Sequence, residues 1–338
     1  LSAMMRASHL HPDRALRERK DLIDLIRIPC SIQPPDAALQ LAQRAKQIGF
    51  SVSLNLTNMS SSRPEDIRRL AKRIEGVDVV YLADSRGAIA PATIPRYVFA
   101  LRSYWTGAIG FHAHNNLGWA FANTKAAIEA GCLWIDGTLA GMGLGGRNLR
   151  IDEALQLAGR NPHPSLVEAV EADWVTDVSG LPRSLYIAAA QANISQDWVQ
   201  PLVRSLGEST FAWRVTELPR LNWQTPEQVA LWFAEFDNLK PCVRFRVYQS
   251  QGRNHEQAEE VFFNQVKPVH ERHGALFLGR DVLEDGQTIV RWLYPNEPSI
   301  QRIQSLVAED EETRRHRELR MKFGLHGVPN QEWIYPWP

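Results

Sequence analysis

SVSLNLTNMSSSRPEDIRRLAKRIEGVDVVYLADS, residues 51–85, reads as one strand–helix–strand unit. SVSLNL (51–56) and VVYLADS (79–85) are short runs rich in Val and Leu. Between them RPEDIRRLAKRIEG (63–76) sets Ile67, Leu70 and Ile74 at helical spacing, with Pro64 suited to the first turn and Gly76 to the stop. A helix joining two such strands predicts that they lie parallel in one sheet.

The unit repeats in both directions, about every 27 residues. Upstream lie the strand candidates LSAMM (1–5) and DLIRIP (24–29) and the helix PDAALQLAQRAKQIG (35–49), whose stripe is Ala38, Leu41, Ala42 and Ala45. Downstream come AIGFHAH (108–114) and LWIDGTL (133–139). Six strands of this kind suit a (βα)8 barrel or a doubly wound sheet, and periodicity does not choose between them. Residues 161–236 read as mostly helical, and Trp174, Trp198, Trp213, Trp223 and Trp232 are assigned to packing. From about 240 the order becomes βαββαβ, a ferredoxin-like α+β pattern. It comprises CVRFRVYQ (242–249), a helix over 256–274, a hairpin over 275–295 turning at Asp285–Gly286, a helix over 299–324 and QEWIYPW (331–337). The expected division is 1–160, a barrel-type α/β domain; 161–238, a helical extension; and 239–338, the α+β domain.

The 338 residues carry 38 basic and 38 acidic side chains, so no field draws the chain to nucleic acid or an acidic membrane. No apolar run is long enough to span a bilayer. LSAMMRASHLHPDR lacks the order of a signal peptide. Cys30, Cys132 and Cys242 match no zinc spacing, which favours a cytoplasmic protein with free thiols.

Chemistry in a parallel α/β domain sits at the carboxyl ends of strands. His112 and His114 lie at such an end and, as i and i+2 of a strand, face the same way. They read either as half of a metal site or as hydrogen-bonded rim histidines. The following AGMGLGGRN (140–148) has four glycines and then Asn148; it is an anion-cradling loop or simply a flexible one. Arg27, at another strand end, meets an anionic substrate or serves inside the sheet.

Three segments together carry a resemblance: YLADSRG (81–87), GFHAHNNLGWAFANTKAAIEAG (110–131) and WIDGTLAGMGLGGRN (134–148). They resemble the metal-dependent pyruvate-type aldolases and lyases, the superfamily of HMG-CoA lyase, isopropylmalate synthase and 4-hydroxy-2-oxovalerate aldolase, and most of all the last branch. The resemblance covers residues 1–160 and implies a TIM barrel. It implies that His112, His114 and Asn148 bind Mn²⁺ or Mg²⁺ and that Ser85 meets the substrate carboxylate. The metal would chelate a 2-oxo acid and act as Lewis acid while a carbon–carbon bond of a 4-hydroxy-2-oxo acid breaks through a pyruvate enolate.

The family's opening DxTxRD-like strand, which supplies a carboxylate ligand, an arginine and a nearby base, has no counterpart here. LSAMM aligns with the family's third strand, so the expectation is a barrel without its first two βα units and with its general base unassigned. A fragment of a longer enzyme, a subunit completed by a companion segment, and a non-catalytic scaffold all fit. Asp84 or Asp136 stands in for the missing ligand or orients the others. LYIAAAQANISQDWV (185–199) resembles the family's YLLSGxYN stretch, with Ala192 in place of its aromatic and Asn193 retained.

Residues 242–337 resemble NIPSNAP-like dimeric α/β-barrel domains through QVKPVHERHGALFLG (265–279) and IVRWLYP (289–295). That implies a homodimer through this domain, with room for a small-molecule pocket. His270 and His273 present to a ligand or form the polar end of a helix. The functional expectation is a carbon–carbon lyase of the 4-hydroxy-2-oxovalerate aldolase type. Its alternatives are a Claisen-type acyl-CoA condensing enzyme of the same superfamily and the scaffold.

Overall fold

The computed structural model describes residues 1–32, 34–171, 180–249, 255–283, 286–325 and 329–337. Two compact units result, Leu1–Leu221 and Asn222–Pro338. The stretch expected as a helical extension is shared between them. Helices Arg183–Gln191, Gln196–Leu206 and Glu208–Glu217 belong to the first unit, and Pro226–Ala234 belongs to the second. The reason lies in the contacts of helix Pro226–Ala234: Trp232 meets Trp223 edge to face at 5.5 Å, and Gln228 donates to the Ala275 carbonyl at 2.6 Å.

The first unit holds a parallel sheet of β1 (Ser2–Met4), β2 (Leu25–Cys30), β3 (Ser51–Leu56), β4 (Val79–Asp84), β5 (Ala108–Ala113) and β6 (Trp134–Ile135), in that order. Every neighbouring pair is parallel, and each connection carries at least one helix. Among the described residues β1 and β6 pair on one side only, so the sheet is open.

Alternation gives the sheet two unlike faces. Outward go Ile26, Ile28, Val52, Leu54, Val80, Leu82, Ile109 and Phe111, all buried in one core with Leu41, Ala45, Ile67, Leu70 and Leu101 of the covering helices. Each fully buried Leu, Ile or Phe there contributes about 1.5–3 kcal/mol. Register then places Arg27 beside Ser53, Asn55 beside Tyr81, Tyr81 beside Gly110 and Ala83 beside His112 on the inner face. That face is polar, and it holds the site.

The second unit is an antiparallel sheet of β7 (Cys242–Gln249), β8 (Leu276–Val282), β9 (Gln287–Tyr294) and β10 (Gln331–Pro336), ordered β10-β7-β9-β8. The βαββαβ order expected from the sequence is the order found. Of the expected hairpin turn, Asp285 lies outside the described residues, while Gly286 sits at φ +81°. Helix His255–Val261 passes through a π-helical turn, Phe262–Val266, into helix Lys267–Arg272. Of the tryptophans assigned to packing, Trp223 and Trp232 are fully buried, Trp213 is exposed, and Trp174 lies outside the described residues.

One glycine on the inner face is fixed by its neighbour. A Cβ on Gly110 would come within 2.6 Å of the Tyr81 ring. Arg27 caps that ring at 4.4 Å and Asp136 holds its hydroxyl, so the ring cannot swing aside. Alanine is normally the better strand residue, yet Gly110→Ala is expected to cost about 1–3 kcal/mol through overpacking. Urea denaturation of the variant checks this, and unchanged stability would show that Tyr81 yields.

Candidate active site at the strand ends

Arg27, Tyr81, His112 and Asp136 meet on the inner face. Arg27 forks onto the Asp136 carboxylate, with Nη1 at 3.2 Å from Oδ1 and Nη2 on Oδ2. His112 Nδ1 lies 3.0 Å from the same Oδ2. Tyr81 adds a hydrogen bond from its hydroxyl, and burial together with this carboxylate pushes the phenol's pKa well above its usual value. Burial alone would raise the Asp136 pKa, but hydrogen bonds from His112 and Arg27 and the guanidinium charge outweigh it and hold it below the usual value. An ionised Asp136 accepts from His112 Nδ1–H, which leaves the Nε2 lone pair free.

His114 stands next to it, ring centroids 5.1 Å apart and nearly perpendicular. Burial, with a smaller contribution from His112, drives its pKa down to about 3, so it is a neutral lone-pair donor. The Gln196 amide nitrogen sits 3.1 Å from its Nδ1 and 3.3 Å from its Nε2. Gln196 is in turn held by Asn116, whose Nδ2 donates to Gln196 Oε1 at 3.2 Å and to the Arg86 carbonyl at 2.8 Å.

The glycine loop positions Asn148 rather than cradling an anion with the amides seen here. The N–H groups of Gly141, Met142, Gly146 and Asn148 donate to Thr138 O, Leu139 O, Asn116 Oδ1 and Gly141 O. Asn148 bridges His114 through the backbone, and its Nδ2 donates to the Met142 carbonyl at 2.9 Å. That bond fixes the amide orientation and leaves Oδ1 buried with no partner among the described residues. A Cβ on Gly143 would strike the Asn148 amide at 2.4 Å, so glycine there makes room for the side chain.

Ser85 Oγ accepts from the Asn58 N–H at 3.2 Å, which leaves its own proton to donate. Asn58 adopts φ +57° at this corner. Asp84 is structural: fully buried, it accepts from the N–H groups of Ala88 (3.0 Å) and Ile89 (3.2 Å), and burial raises its pKa to about 6. Asp136 is the carboxylate that orients. Ala192 and Asn193 are buried, and Asn193 Nδ2 ties the Leu221 carbonyl at 2.9 Å.

Among the described residues no three His, Cys, Asp or Glu side chains gather into a metal-holding cluster. The donors that fit a divalent ion are therefore the His112 and His114 imidazoles and the orphaned Asn148 amide oxygen. All three offer lone pairs, and the Asp136–His112 pair is the arrangement that sharpens an imidazole for a metal. The residues present suit a divalent ion through these donors. Sequence reading missed Ser53, Asn55, Tyr81, Asn116 and Gln196. Ser53 and Asn55 are buried and share a 2.6 Å hydrogen bond.

Residues 33–173 match the HMGL-like family. The chain is 34% identical over 161 residues to oxaloacetate decarboxylase of Mycobacterium tuberculosis, covering 47% of each protein. It is 38% identical over 157 residues to 4-hydroxy-2-oxovalerate aldolase of Chloroflexus aurantiacus, covering 44% of this chain and 46% of that one. The chain thus spans about half the length of the curated relatives it matches. Among solved structures it is similar to the N-terminal domain of an inferred aldolase from Bacteroides vulgatus, with a TM-score of 0.51 and 26% identity over 60% of this chain and 72% of that one. The carboxyl transferase domain of Rhizobium etli pyruvate carboxylase, with a TM-score of 0.51 at 20% identity over 69% of this chain and 44% of that one, shares the fold. The first unit's sheet is a partial TIM barrel, the α/β fold expected, and residues 33–173 match the HMGL-like family model.

Proposed function

We propose that this chain is a divalent-metal-dependent carbon–carbon lyase that cleaves, or forms, a 4-hydroxy-2-oxo acid by way of a pyruvate enolate. The observation that carries the reading is the pair of imidazoles, His112 presented by Asp136 with His114 beside it, next to a backbone bridge from His114 to Asn148, whose amide oxygen is unpartnered among the described residues. The relatives named 4-hydroxy-2-oxovalerate aldolase support the substrate class.

His112, His114 and Asn148 hold the ion, Mn²⁺ or Mg²⁺. When bound it supplies Lewis acidity to the 2-oxo acid's carbonyl and carboxylate. Ser85 donates its hydroxyl proton to the substrate carboxylate. Arg27, pinned on Asp136, keeps a buried Nε–H with no partner among the described residues and directs it at the anion. A base not assigned among these residues takes the C4 hydroxyl proton; as the C3–C4 bond breaks its electron pair moves toward the carbonyl end, an aldehyde leaves, and return of that proton to C3 gives pyruvate. The inner face admits the acid while Tyr81, held protonated, contributes no competing charge.

A second reading rests on the oxaloacetate decarboxylase relative. There the same carbonyl end accepts the pair while carbon dioxide leaves instead of an aldehyde. Both reactions release pyruvate, so the second product separates them. The sheet edges at β1 and β6 take a further segment from this or another chain, because an open parallel edge carries unpaired backbone groups. The second unit pairs two copies in the NIPSNAP-like manner. Its edge strand β10 exposes Trp333, Ile334 and Tyr335, which supports that role. Three buried free cysteines suit a cytoplasmic location.

After dialysis against Mn²⁺, mass spectrometry should find about one ion per chain, lost in His112→Ala together with pyruvate release; a scaffold would hold none. Asp136→Asn should weaken the ion roughly 10–100-fold. A His112→Ala chain that keeps both ion and rate would discard the assignment. A double-mutant cycle of Arg27→Met and Asp136→Leu should show a coupling on the order of 2 kcal/mol in urea denaturation, whereas additivity within about 0.4 kcal/mol would mean no functional pair. Light scattering of the full chain should give a dimer mass that Trp333→Glu halves. A monomeric parent would end the dimer proposal.

A further inference from the structure

The second unit holds a partly open cavity of about 320 Å³ lined by its sheet and its helices. This is at the lower end of the roughly 300–1,000 Å³ typical of small-molecule sites. Its lining contains Arg246, Arg280 and Arg320 and, among the described residues, no Asp or Glu. Outside the wall, carboxylates only partly offset these charges. Arg246 shares Glu332 with Arg244, at 3.0 and 2.8 Å, and Arg280 pairs with Glu259. Arg320, 2% exposed, donates to the Thr313 hydroxyl at 2.7 Å and to the Gln265 carbonyl. The acids nearest Arg320, Asp310 and Glu312, are engaged by Arg272. A buried cation without a matching anion is costly, so the cavity carries a positive potential that an anion would relieve.

The rest of the wall mixes aromatic and aliphatic side chains with a few neutral polar ones. His270 stacks on Trp292 with centroids 4.7 Å apart and planes 20° from parallel. Its Nδ1–H is donated to the Val266 carbonyl at 2.9 Å, and burial lowers its pKa to about 4, so the imidazole is a neutral plate. Phe262, in the π-helical turn, packs on Trp292, and such turns recur at functional sites. Among the polar groups of the lining, Thr288 is 3% exposed and its hydroxyl has no partner among the described residues.

We propose that this cavity binds a small amphipathic carboxylic acid with an aryl or branched-alkyl body. Its planar head meets the planar guanidinium forks, which match a carboxylate better than a point charge does. The Thr288 hydroxyl completes the head's hydrogen bonds. Trp292 and Phe262 bury the body and exclude water. The site is independent of the lyase chemistry in the first unit.

The test is isothermal titration of the full-length chain with 3-phenylpropionate, 3-phenylpropan-1-ol and acetate. The acid should bind roughly tenfold or more tightly than the alcohol, which lacks the charge, and than acetate, which lacks the body. Thr288→Val, nearly isosteric and checked for an unchanged melting curve, should weaken the acid by up to about tenfold and leave the alcohol unchanged. Arg320→Gln should remove the preference for the acid. No heat with the acid at millimolar concentration, equal affinity for acid and alcohol, or an unaffected Thr288→Val chain would each overturn the proposal.

Discussion

The structure of the first unit turns on one carboxylate. Asp136, just past β6, binds Arg27 of β2 and His112 of β5 at once. In a flat sheet β2 and β6 would stand four strand spacings apart, roughly 19 Å, beyond the combined reach of the two side chains. Direct contact therefore requires the sheet to curl toward its inner face, as a barrel does. The curl makes the inner face concave, and concavity lets groups from separate strands converge. The cost of burying Arg27 and Asp136 is offset only because each meets the other. The same pair then fixes the tautomer of His112. Curvature, charge balance and the presentation of one imidazole nitrogen are thus a single arrangement.

Small residues complete that arrangement by giving up volume. Gly110 leaves the space that Tyr81 fills, and Gly143 leaves the space that the Asn148 amide fills. Tyr81 in turn supports Arg27 from below, and the Asn148 amide is turned by Met142 so that its oxygen faces away from the bond. Tyr81 and the Asn148 amide are held in place because each is bounded by a position that cannot accept a Cβ. Rigidity of this kind is what keeps lone pairs aligned when no ligand holds them.

Much of this was legible beforehand, and the limits have physical causes. The six strands stood out because their outward residues are aliphatic and the helices between them keep their stripes. Strands buried on both faces read as continuous apolar runs. SVSLNL breaks that rule at Ser53 and Asn55, and those breaks were the available sign of a polar inner face. The roles of Asp136 and Tyr81 depend on the curl, which periodicity does not encode. Gln196 reaches His114 from 82 residues away, on a helix with no motif of its own. The boundary near 221 was hidden for a similar reason, since the tryptophans that assign helix Pro226–Ala234 to the second unit declare themselves only through packing.

The two units carry opposite electrostatic problems. On the inner face of the partial barrel, charges cancel within the protein, and what remains are lone pairs on nitrogen and oxygen; such a surface attracts a cation. In the second unit the remainder is guanidinium charge and an idle hydroxyl against aromatic walls. That surface attracts an anion with an apolar body. A neutral chain of 38 basic and 38 acidic groups thus hides two local imbalances that net charge averages away. Neither imbalance strengthens the fold, since buried polar groups without partners cost free energy. Their persistence inside well-packed cores is the strongest argument that each is matched by something the protein binds.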